Sequence, residues 1–85
     1  MDNPYYAPIR QMWCEILDRE EIAPDDHFFA LGGNSLSAML LISRLEETYD
    51  LELDAEELAE YQTLSALADF IREKRAPFDR IARQA

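Results

Sequence analysis

Both glycines of this 85-residue chain stand side by side in Leu31-Gly32-Gly33-Asn34-Ser35-Leu36, where the pattern changes from irregular to helical. Adjacent glycines permit positive φ and remove side-chain bulk around whatever follows. Asn34 and Ser35 are both N-capping types, so a helix is expected to begin at one of them. Ser35 would then stand on a bare shoulder formed with Gly33 and Asn34, at the positive end of a helix. Backbone N–H groups without intrahelical acceptors lie close by in such a place. A hydroxyl held there is well placed to carry a phosphate.

On either side the chain reads as helices. Met1 to Ala7, with Pro4 and paired tyrosines, reads as a lead-in, and Pro8 suits a first helical turn. Ile9, Met12, Trp13, Ile16 and Leu17 then recur at helical spacing. Residues 19–34 form a connection too long to float in a compact domain. Ile22, Pro24, Phe28, Phe29 and Leu31 are available to pin it over the helices, both phenylalanines as core plugs. A second helix, about Ser35 to Thr48, places Ala38, Leu41, Ile42, Leu45 and Tyr49 on one core stripe. Leu36, Met39 and Leu40 fall off that stripe, on the side nearer Ser35. Either the long loop covers them or they form a docking patch, where an adaptable methionine serves several partners.

Asp50 to Leu53 should be a loop with Leu51 and Leu53 pointing inward. Asp54-Ala55-Glu56-Glu57 reads as a capping box that starts a short third helix through Leu58, Ala59 and Tyr61. Thr63 can cap a fourth helix, with Leu64, Leu67, Ala68 and Ile71 on one face and Phe70 beside them. Arg72, Lys74 and Arg75 suit its C-terminal end, and Pro77 is expected to stop it. The fold class is therefore all-α, a small four-helix bundle with three longer helices and one short third helix. A long plugged loop joins helices 1 and 2. The expected organisation is a lead-in over 1–7, one domain over 8–75 and a flexible basic tail over 76–85.

A net charge of −10 argues against binding nucleic acid, which needs basic patches. Residues 1–71 hold 3 basic and 16 acidic side chains, net −13, whereas residues 72–85 hold 5 and 2, net +3. The acidic body suits solubility and attraction to basic patches on proteins. One cysteine, Cys14, allows no internal disulfide. No secretory segment or long apolar span appears, so no membrane is expected as a partner, and a cytoplasmic monomer is the simplest reading.

Catalytic machinery is not expected either. A serine nucleophile needs a base and an oxyanion hole, and Gly33-Asn34-Ser35-Leu36-Ser37 lacks the second glycine of a nucleophile elbow. His27, the one histidine, reads as an exposed loop residue rather than a base for Ser35. No Cys/His cluster has metal spacing, and Asp25-Asp26 and Glu56-Glu57 read as solvated or capping carboxylates. Cys14 lies off the main stripe of the first helix, with no cationic sequence neighbour to activate it, and reads as a half-buried spectator thiol.

The eleven residues Asp26-His27-Phe28-Phe29-Ala30-Leu31-Gly32-Gly33-Asn34-Ser35-Leu36 resemble the D-x-F-F-x-L-G-G-x-S-L motif of thiolation domains. These are the peptidyl carrier proteins of non-ribosomal peptide synthesis. The likeness extends from about Ile9 to Ile71. It includes the first-helix tryptophan and Thr63-Leu64-Ser65-Ala66-Leu67-Ala68, which is similar to the T-L-x-x-L-A opening of the family's last helix. Ala59-Glu60-Tyr61-Gln62-Thr63 departs from a family Phe-Glu-x-Pro-Thr pattern, lacking both Phe and Pro.

The resemblance implies that Ser35 receives a 4′-phosphopantetheine arm from coenzyme A, with Gly33 and Asn34 completing the cofactor site. It implies that a phosphopantetheinyl transferase attaches the arm and an adenylation enzyme loads an amino acid on it as a thioester. Condensation, tailoring or thioesterase enzymes then act on the cargo, while the domain itself catalyses nothing. It also favours the docking reading of Leu36, Met39 and Leu40. Alternatives are a polyketide-type acyl carrier protein and an unmodified helical adaptor; Gly-Gly-Asn-Ser-Leu, rather than Asp-Ser-Leu, favours the peptidyl kind. With Met1 first, no Pro/Gly/Ser-rich linker and a strong net charge, a free-standing carrier acting in trans is expected.

Overall fold

Four amphipathic segments fold into four helices, α1 (Tyr6–Leu17), α2 (Ser35–Tyr49), α3 (Ala55–Glu60) and α4 (Leu64–Gln84). The structure is a computed structural model that describes residues 3–84, with side chains described through Ala76. Helix α1 packs against α2 and α4, and α2 also packs against α3. Among the described residues the only extended pairing is an isolated antiparallel bridge between His27 and Thr63.

The helical faces read from the sequence meet in one core. Ile9, Met12 and Trp13 of α1, Ala38, Leu41 and Leu45 of α2, Leu58 of α3, and Leu64, Leu67, Ala68 and Ile71 of α4 are buried together. Ile22, Phe28 and Leu53 join them from the connections. Ile16, Leu17, Ile42 and Tyr49 are half-buried at its margin. Leu51 is half-buried and Leu53 buried, so both turn inward as expected.

Helix ends follow local chemistry. Asp54 accepts the Glu57 N–H at 2.8 Å while Glu57 accepts the Asp54 N–H at 3.2 Å, a complete capping box at α3. Thr63 Oγ1 accepts the Ala66 N–H at 3.1 Å and opens α4. Asp18 and Asp50, which follow α1 and α2, adopt left-handed conformations with φ of 55° and 52°. Aspartate tolerates this region better than bulkier residues. Lys74 ties α4 to α3 by a 3.2 Å ion pair with Glu57 and donates to the Glu52 carbonyl.

Two expectations fail at the chain ends. Tyr6 and Ala7, read as lead-in, are the first residues of α1, and Pro8 is its third. Proline is tolerated there because a first-turn N–H has no intrahelical acceptor anyway. Asn3 fastens the preceding segment by donating to Asp69 of α4 at 3.1 Å. Pro77 does not stop α4, which runs on to Gln84. Once a helix is nucleated, each further residue adds a bond at low cost, and Arg80, Ala82, Arg83 and Gln84 are good helix formers.

The long connection is fastened, but mainly by its backbone. The Phe28 N–H donates to Gln62 O at 2.9 Å, the Leu64 N–H to Asp26 O at 3.3 Å, and the Ser65 N–H to Pro24 O at 2.9 Å. At its other edge Arg19 Nε donates to Leu31 O at 3.1 Å. The loop is thus seated on the α3–α4 junction. Leu31 packs at the core margin, while Pro24 is exposed.

Phe29 is a correction: it is 38% exposed, whereas Phe28 is fully buried. Consecutive residues in a tight turn do not share one direction. Phe28 takes the inner slot, edge-on to Trp13 at 5.2 Å, and Phe29 lies edge-on to Phe28 at 5.4 Å from outside.

Candidate functional site

The two glycines do different work. Gly32 has φ of 106°, a conformation that closes the turn after Leu31 and suits glycine. Gly33 needs its bareness for a steric reason: a Cβ there would lie 2.5–2.7 Å from the Phe28 ring and carbonyl oxygen. Its N–H donates to that same carbonyl at 3.1 Å. The shoulder is therefore cleared inward, to admit the buried Phe28 directly beneath the start of α2.

Asn34 is the N-cap, with extended φ and ψ of −137° and −174°, and Ser35 is the first helical residue. Asn34 Oδ1 accepts the Ser37 N–H at 2.9 Å, and Ser37 Oγ accepts the Asn34 N–H at 2.7 Å. Asn34 O accepts the Ala38 N–H at 2.8 Å and the Ser37 hydroxyl at 3.0 Å. Ser35 itself is exposed. No acidic residue stands in the first turn of α2, so its positive end is not neutralised from within. An accessible hydroxyl beside first-turn N–H groups fits a phosphodiester, because the phosphate oxygens would meet donors and a favourable dipole.

Leu36, Met39 and Leu40 are 71%, 66% and 51% exposed. The loop, whose backbone is seated on the α3–α4 junction, leaves them uncovered. With Phe29 they compose the exposed large apolar side chains among the described residues. The sequence pattern places Phe29 inside, and its exposure is not legible there.

Other candidates stand apart. His27 is exposed in the loop. Cys14 is half-buried on α1, and its thiol donates weakly to Glu20 O at 3.8 Å. Among the described residues no group of three or more His, Cys, Asp or Glu could hold a metal ion. No described helix is long and apolar enough to cross a membrane. The shifts in ionisation lie elsewhere: Glu15 is held below the usual carboxylate range by the Gln11 amide and then by Arg44, its 2.7 Å partner on α2. Burial pushes the Tyr49 phenol up.

A small helical bundle that presents an exposed serine on the first turn of α2, behind a Gly-Gly turn, is a scaffold for a tethered group. The chain matches the family model of the phosphopantetheine attachment site over residues 7–71, and it belongs to that family. The family's cofactor is 4′-phosphopantetheine.

Tyrocidine synthase 3 of Brevibacillus parabrevis is 44% identical over 73 residues, covering 86% of this chain and 1% of that protein. The chain spans only 1–6% of the length of the curated relatives it matches first. Among solved structures, BlmI is a type-II acyl-carrier-protein from Streptomyces verticillus involved in bleomycin biosynthesis. It aligns with a TM-score of 0.77 at 35% identity, over 81% of this chain and 83% of that one. A peptidyl carrier protein seen with the phosphopantetheine transferase Sfp and coenzyme A gives a TM-score of 0.80 at 27% identity. That match covers 86% of this chain and 95% of the other.

Proposed function

We propose that this chain is a peptidyl carrier domain that holds an amino acyl or peptidyl group on a 4′-phosphopantetheine arm attached to Ser35. The observation that carries this reading is the exposed Ser35 hydroxyl on the first turn of α2, at the end of the Asp26–Leu36 motif. Attachment joins Ser35 Oγ to the pantetheine-side phosphorus of coenzyme A and breaks the pyrophosphate bond. Adenosine 3′,5′-bisphosphate leaves, and the hydroxyl proton passes to a base supplied by the transferase. When bound, the arm supplies a thiol that holds the cargo as a thioester.

Gly33 and Asn34 serve the site by shape. The first lets Phe28 pack beneath it, and the second starts the helix so that Ser35 faces outward. Leu36, Met39 and Leu40 form the docking patch for the transferase, an adenylation enzyme and the condensation, tailoring or thioesterase enzymes that follow. Transient contact suits repeated hand-off, and tethering raises the local concentration of the cargo at each partner. The domain acts in the cytoplasm and performs no catalysis of its own.

The test is intact-mass analysis after incubation with coenzyme A and a promiscuous transferase. The parent should gain one arm and Ser35→Ala none. Because Asn34 is the cap, Ser35→Ala should change stability by no more than about 0.5 kcal/mol. An arm carried by Ser37 or Ser43 in Ser35→Ala would overturn the assignment.

A further inference from the structure

We infer that Ser37 is a positioning residue for attachment at Ser35, an inference that rests on the assignment of Ser35 as the attachment point. In an ordinary capping box, as at Asp54 and Glu57, the third helical residue only accepts a hydrogen bond from the cap. The Ser37 hydroxyl does more. It accepts the Asn34 N–H at 2.7 Å and donates to the Asn34 carbonyl at 3.0 Å, closing on both ends of one residue. The Ser37 N–H adds a bond to Asn34 Oδ1 at 2.9 Å. Asn34 is thereby held through its N–H, its carbonyl and its side chain.

That clamp fixes the peptide from which Ser35 departs. On the other side of Asn34, Gly33 is anchored to the Phe28 carbonyl. The place and direction of the Ser35 Cα–Cβ bond are then set before any partner arrives, which narrows the positions Oγ must search for in-line attack on phosphorus. The clamp also decides between two hydroxyls two residues apart. Ser37 is half-buried with its oxygen engaged as donor and acceptor, whereas Ser35 is exposed.

Initial rates of arm transfer at varied carrier concentration separate orientation from docking. Ser37→Ala should lower kcat about ten- to a hundredfold, the scale of a small misplacement of a reacting group. KM should hold, since Leu36, Met39 and Leu40 are untouched. Hydrogen exchange at the Asn34 amide should speed up in the same variant. Ser37→Thr, which keeps the hydroxyl, should restore kcat. Asp54→Ala is the control for stability alone: it breaks the box at α3, should lower the melting temperature comparably, and should leave kcat at the parent value.

A parental kcat for Ser37→Ala, or an equal fall in Asp54→Ala, would overturn the positioning role. Transfer onto Ser35→Ala would instead overturn the assignment of Ser35, so the two failures are distinguishable.

Discussion

Gly33→Ala tests the packing beneath the site. The added Cβ would lie 2.5 Å from Phe28 Cδ2, 2.6 Å from Cε2 and 2.7 Å from the Phe28 carbonyl oxygen. None of these atoms can yield easily. The ring is fully buried and edge-on to Trp13 at 5.2 Å, and the carbonyl already accepts the Gly33 N–H at 3.1 Å. Overpacking a tight core costs about 1–3 kcal/mol, and expelling a buried phenylalanine about 3–5 kcal/mol. The two routes of relaxation meet near 3 kcal/mol, or a fall in melting temperature of about 12–24 °C for a domain of this size.

Gly32→Ala is the comparison that gives this meaning. Its φ of 106° makes it the residue that conformational preference alone would protect, yet nothing lies within 4 Å of a Cβ there. It should lose about 1 kcal/mol, the lower end of the cost of a strained backbone residue. Thermal and urea unfolding followed by circular dichroism give both numbers. Phe28→Leu in the Gly33→Ala background should recover part of the loss in a double-mutant cycle. A Gly33→Ala protein that melts within about 4 °C of the parent, or a larger loss in Gly32→Ala, would refute the packing argument.

Two further outcomes follow from burial and charge. Met39→Ala should slow loading by transferase or adenylation enzyme with little change in stability, whereas Leu41→Ala and Leu45→Ala, at fully buried positions, should each lose about 2–5 kcal/mol; a comparable loss for Met39→Ala would remove it from the docking patch. The Glu15 carboxyl has a folded pKa below its unfolded value, so its contribution is present above the unfolded pKa and disappears as pH falls through the folded one. Melting curves of the parent and Glu15→Gln should therefore differ at neutral pH and converge in acid, and a pH-independent difference would exclude the Gln11 and Arg44 contacts as its source.

Local chemistry was legible in the sequence where neighbours decide the outcome. Asn34 at the start of α2, the Asp54–Glu57 box and the Thr63 cap all depend on partners within a few residues. The core faces of α1, α2 and α4 follow from helical spacing in the same way. What stayed hidden is set across the chain. No pattern near Phe29 shows that Phe28 takes the single inner slot, because that slot is formed by Trp13 and the bare face of Gly33. Pro77 carries a strong local signal to stop, which the preceding helix overrides. The seat of the loop on Gln62, Leu64 and Ser65 has no sequence signature at all, because it is made by backbone groups. Ser37 could have been found: Asn34-x-x-Ser37 has the spacing of a capping box, with a hydroxyl in place of the usual carboxylate.

The seat of that loop also orders events in time. A chain of backbone bonds leads from the Gln62 carbonyl to the Phe28 amide, and from the Phe28 carbonyl to the Gly33 amide next to the cap. Contacts between residues so far apart must close a long loop of chain before they gain anything, and so they form late. A ribosome releasing this polypeptide from its N-terminus exposes Ser35 well before Gln62 and Ser65 emerge, and until then the shoulder has nothing to rest on. The shoulder under Ser35 is complete only once the start of α4 has met the loop, so arm transfer to this proposed attachment serine would read out that late contact as well as the presence of the hydroxyl.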